Sequence, residues 1–138
     1  MKLSRKLLRE SLIKEIDSQM NSCARRNISV GNLPVSVEVA DTPSLRDTGL
    51  MFRQNMPEDH GMLFDFSDSD DRGFWMKNTH IPLSIAFIDS DGTIVNIEKM
   101  SPMSLNSVYS ESPCRYALEM NHGWFDRNGI QPGTKCSL

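Results

Sequence analysis

The sequence predicts a mainly β protein, a compact antiparallel sandwich or barrel of jelly-roll type, preceded by an N-terminal amphipathic helix. Three observations predict it. From Leu33 onward, apolar residues recur at every second position in several short runs, the period of a strand with one buried face. Clusters of Gly, Pro, Asn and Asp separate these runs, as they do between the strands of sandwiches and barrels. Ahead of them, LSRKLLRESLIKEIDSQM holds its apolar residues at helical spacing and contains neither Gly nor Pro.

Taken in order, residues 1–26 read as a basic amphipathic arm, 27–32 as a linker and 33–138 as the β domain. The arm's stripe of Leu3, Leu7, Leu8, Leu12, Ile13 and Ile16 is expected to dock on a protein partner or on a second copy of the chain. PVSVEVADT alternates, with Val35, Val37 and Val39 on one face of a strand. In TPSLRDTGL, Thr42 or Ser44 can cap a short helical turn, with Pro43 at its first position and Gly49 at its end. Met62 to Phe66 read as a strand, the acidic SDSDDRG as a loop, and FWMKN as the start of another strand. IPLSIAFID is the most strand-like stretch; Asp91 and Gly92 supply a hairpin turn, and TIVNIE returns. After a polar excursion with two prolines, RYALEMN is a further strand, and a turn-rich end carries the last one.

With 138 residues, one domain is expected. The net charge of -3 hides an asymmetry. Residues 1–26 hold seven Lys/Arg against three Asp/Glu, and the remainder eight against fifteen. An acidic body disfavours nucleic acid. No run approaches the roughly 20 apolar residues of a membrane span. The start is basic, but Arg9, Glu10, Lys14 and Glu15 interrupt any apolar signal segment. The chain is therefore expected in the cytoplasm, free or as part of a virion or other assembly. Cys23, Cys114 and Cys136 follow no metal spacing, and their odd number favours reduced thiols over a Cys114–Cys136 disulfide.

Five blocks occur in a fixed order: Gly49, Leu50, Met51 and Arg53; Gly61 to Phe64; Phe74 to Thr79 with Pro82 and Leu83; Asp91 and Gly92; Leu118 and Glu119 with Gly123. Together they resemble the domain of unknown function 192 family, over about residues 33–138. The resemblance implies a compact, mostly β fold and no established reaction. Many relatives carry a secretory or lipoprotein leader, where this chain has its basic amphipathic arm.

The same blocks gather Arg53, Trp75, Lys77, Asn78 and Glu119. If the β layer brings them together, Arg53 and Glu119 are expected to form a bidentate ion pair near one mouth of the barrel. The set then reads either as a buried structural network or as a shallow pocket for a small polar ligand such as a sugar or an anion, with Trp75 as its stacking face. Met51, Met62 and Met76 could offer thioethers to a soft metal; beside Leu50, Leu63 and Phe64 they read as core filling. His60, His80 and His122 do not cluster, no nucleophile motif is present, and the acids from Asp65 to Asp71 miss the calcium-loop spacing. No metal or cofactor is expected. The leading expectation is a non-catalytic binding or structural module docked to a larger assembly through its N-terminal helix. The alternative is a small polar ligand-binding protein, or an enzyme of unknown class, using the Arg53–Trp75–Asn78–Glu119 patch.

Overall fold

The computed structural model of the protein describes residues 23–138. The expected helix and its docking stripe from Leu3 to Ile16 lie outside those residues. The elements run β1 (Ala24–Val30), β2 (Leu33–Ala40), α1 (Pro43–Thr48), β3 (His60–Asp70), β4 (Gly73–Phe74), β5 (Leu83–Ile88), β6 (Ile94–Met100), β7 (Val108–Tyr109), β8 (Cys114–Asn121), α2 (Trp124–Arg127) and β9 (Cys136–Ser137).

Several expected elements form for the expected reasons. Val35, Val37 and Val39 are buried along β2 while Pro34, Ser36 and Glu38, which alternate with them, are more exposed. The side chain of Thr42 accepts from the Leu45 N–H at 3.2 Å, Pro43 opens α1, and Gly49 ends it. At the β5–β6 turn Gly92 takes φ 84, and the Asp89 carboxylate accepts from the N–H groups of Asp91 and Thr93.

Other expectations require correction. Residues 24–30, divided between arm and linker in the sequence reading, form β1, which pairs with β2 along its whole length. Only Ile28 and Val30 of β1 are buried, so its alternation is too short to stand out. Gly31, at φ 59, turns the hairpin. FWMKN contributes only Phe74 to a strand, the two-residue β4. Beyond it the Thr79 N–H bonds back to the Met76 carbonyl at 3.1 Å and Asn78 takes φ 54, a turn rather than the extended backbone of a regular strand. Conversely, β3 continues through the acidic stretch to Asp70, past a register irregularity after Asp65.

The strands do not form two packed sheets. Seven make one curled sheet in the order β6-β5-β8-β3-β2-β1-β9, and β4 and β7 form a separate ribbon. Nor is the sheet wholly antiparallel, because β2 and β3 run parallel. Residues 41–59, with α1 among them, carry the chain back to the starting end, the long crossover that a parallel pair needs. The two edges meet at one end. Thr93 bridges Lys135, the Ile94 N–H donates to Thr134 at 2.9 Å, and the Cys136 N–H donates to Gly92 at 2.7 Å.

Curling gives the sheet two cores. The concave side buries Val30, Val37, Leu63, Leu118 and Met120, and α2 inserts Trp124 and Phe125 among them. The outer side buries Met62, Phe64, Leu83, Ile85 and Phe87 beneath Leu50, Met76 and Ile81 from the loops. Met62 and Met76 thus serve as packing. β5 is buried at every position because it has a core on each side.

Candidate functional site

One rung of the sheet organises the site. Glu38 on β2 lies opposite Met62 on β3, Met62 opposite Glu119 on β8, and Glu119 opposite Ile85 on β5. Directly paired residues share a face, so all four project into the outer layer. Arg53 approaches this rung from the loop after α1 and grips Glu38 through both oxygens, Nη1 to Oε2 at 2.5 Å and Nη2 to Oε1 at 3.1 Å. The expected Arg53–Glu119 pair is therefore corrected: the bidentate pair exists, but its acid is Glu38. Met62 stands between the two acids, which places their backbones roughly 10 Å apart at ordinary strand spacing.

Above Glu119 the outer layer opens into a cleft of about 690 Å³. Thr48 to Phe52 form one wall, Phe74, Trp75, Lys77, Asn78 and Thr79 the other, and Phe64 and Phe66 line it from β3. Of the residues singled out in the sequence, Trp75, Lys77, Asn78 and Glu119 line this cleft, and Arg53 does not. Sequence reasoning missed Arg46, Asp47, Thr48, Phe52 and Phe66. Gly49 was a usable signal: its φ of 48 and its closeness to the Phe64 ring hold this wall against the sheet. Nothing in the sequence marks Phe52.

The walls carry unusual backbone. Phe52 sits at φ 67 and Asn78 at φ 54, and the Phe52 N–H donates to the Asn78 carbonyl at 2.9 Å. Left-handed backbone at a bulky residue is strained, by about 1–3 kcal/mol. Here that bond ties the two walls together. Trp75 remains 48% exposed, with the Lys77 ammonium 5.4 Å from its ring centroid. The Arg46 guanidinium lies 5.1 Å from the Phe66 centroid while donating to the Asp65 carbonyl at 3.0 Å. Both aromatic walls therefore already face cations.

Glu119 is only 4% exposed. Among the described residues, no group hydrogen-bonds to its carboxyl and no cation pairs with it, whereas Glu38, Asp65 and Asp68 each meet an arginine. Burial pushes its pKa up to about 8, so it is mainly the neutral acid at pH 7. Buried polar groups are nearly always satisfied, and a carboxyl of raised pKa in a cleft can hold or give up a proton for a bound molecule. Among the described residues no group of three or more His, Cys, Asp or Glu side chains could hold a metal ion.

Fold and site together define a small β domain, a single curled sheet with a ligand-sized cleft under its outer loops. The chain belongs to the DUF192 family, described as uncharacterised ACR, whose family model matches residues 16–138. It is similar to a solved structure from Sinorhizobium meliloti 1021, described provisionally as a transcription regulator. That match has 41% identity and a TM-score of 0.82, covering 84% of this chain and 95% of the other. A protein of unknown function from Novosphingobium aromaticivorans DSM 12444 matches at 29% identity and a TM-score of 0.77, covering 86% and 96%. No curated protein matches the chain.

Proposed function

We propose that the domain is a small-molecule-binding module whose ligand occupies the cleft over Glu119. The single observation that carries this is a buried carboxyl, without a partner among the described residues, at the floor of a cleft walled by aromatic rings. Such sites combine an apolar body with a few polar groups that orient the ligand. Thr48 and Asn78 add a hydroxyl and an amide to the lining, and the half-exposed Trp75 offers a stacking surface. Binding is favoured over catalysis because, among the described residues, no nucleophile or second titratable group hydrogen-bonds to Glu119. A fragment screen on the full chain by 1H–15N correlation spectroscopy tests this. Shifts gathered on residues 48–52 and 74–79 are expected; hits confined to the α2 end of the sheet would overturn it.

A second reading rests on the apolar stripe from Leu3 to Ile16, which suits docking to a protein partner. Deleting residues 1–22 leaves β1 whole. Unchanged partners in pull-downs with and without that segment would dismiss the docking reading.

A further inference from the structure

We infer that the cleft takes an organic cation, a protonated amine on an aromatic or other apolar body, with its ammonium against Glu119 and its body against the ring walls. This rests on the binding reading above and names the class of ligand.

The choice of side chain argues for it. A glutamine at position 119 would offer a donor and an acceptor without any charge to desolvate. What glutamate alone adds is the capacity to ionise. A buried carboxylate is stable only against a positive charge, and among the described residues no cation reaches Glu119. The walls already show the complementary geometry, since Lys77 and Arg46 each place a cation against a ring. Neither belongs to the floor. The apolar lining excludes strongly hydrated ions but accepts an ammonium carried on a hydrocarbon body.

The surrounding charges permit a net positive guest. Arg46 and Asp47 from α1 and Lys77 from the opposite wall line the cleft. Once Glu119 ionises, these four groups balance. Across Met62 lies the Glu38–Arg53 pair, with Cys23 and Asp41 beyond it. Across Ile85, on the same rung, lies Glu98, held by the Asn96 amide at 3.1 Å. Binding converts carboxylic acid plus ammonium into a carboxylate–ammonium pair, and the proton leaves to solvent.

The test uses the full chain and three probes of one shape: benzylamine, benzyl alcohol and benzoate. Calorimetry in two buffers of different ionisation enthalpy should show benzylamine binding with release of nearly one proton at pH 6.5. Its affinity should rise towards tenfold per pH unit up to about pH 8. Glu119→Gln, which replaces a neutral group by a neutral group of the same shape at that pH, should keep the fold. It should weaken benzylamine tenfold or more and abolish the proton release. If benzyl alcohol or benzoate binds in the cleft as tightly as benzylamine, the amine class is overturned and the cleft reading survives. If no probe moves the resonances of residues 48–52 or the Trp75 indole, both readings fall.

Discussion

Glu119 carries a desolvation cost that no arginine in the described fold offsets, and this cost depends on pH. Its folded pKa of about 8 lies above the ordinary value of 4.5 because burial disfavours the charged form. Between these values the folded state holds a proton that the unfolded state has lost. The contribution of Glu119 is thus fully present below about pH 4.5 and is lost as pH rises through about 8. The slope approaches 1.4 kcal/mol per pH unit at most, about the worth of one unit of pKa. Urea denaturation from pH 5 to 9 should therefore show falling stability in the native chain and a flatter profile in Glu119→Gln. Equal slopes would show that Glu119 ionises as an exposed acid does. Trp75, half outside the fold, makes the opposite case. Trp75→Ala should change stability by less than about 1 kcal/mol while weakening any cleft ligand, and a large drop in thermal midpoint would make Trp75 structural. Both residues were legible in the sequence because they stand in family blocks beside strands. The partner of Arg53 was not: Glu38 and Glu119 share a face and a rung, and no local pattern says which acid the loop will meet.

Among the elements, β3 explains a residue of the GMLF block. Gly61 faces β8 so closely that a Cβ there would fall 2.5 Å from the Glu119 carbonyl oxygen and would also strike the Met120 sulfur. Gly61→Ala must push the two central strands apart. It should cost about 1–3 kcal/mol, as overpacking does, and disturb the cleft, because Glu119 is the residue displaced. A denaturation midpoint equal to that of the native chain would refute this account. α1 could be anticipated as a short turn capped by Thr42 or Ser44 and ended by Gly49, because caps are local: Thr42, the cap that forms, needs only the N–H three residues on, and Gly49 only its own backbone freedom. β1 could not, since most of its residues are exposed and its place depends on lying beside β2. FWMKN misled for a related reason. Its β-forming residues are used as a wall, with the Met76 N–H bonded to the Ser104 carbonyl at 2.9 Å rather than to a neighbouring strand.

At the scale of the whole molecule, the sheet's curl separates the cysteines. Cys114 belongs to the outer core and Cys136 to the concave one; both are free thiols, so the alternative Cys114–Cys136 disulfide does not form. Burial pushes each thiol up to about 11, leaving little thiolate to react. Iodoacetamide at pH 8 should modify the partly exposed Cys23 first and leave Cys114 and Cys136 until the chain unfolds. Early alkylation of Cys136 would mean that the seam between residues 92–94 and 133–136 opens readily. Alternation, turn residues and caps were enough to establish a β protein and most of its strands, because each is a property of neighbours along the chain; Trp75, Lys77, Asn78 and Glu119 were marked instead by the family blocks, which left much of the cleft lining unmarked. Strand order, the parallel β2–β3 pair, the choice of Glu38 for Arg53 and the isolation of Glu119 were decided only by tertiary closure. Each depends on which distant segments share a rung, and side-chain period alone leaves that choice open.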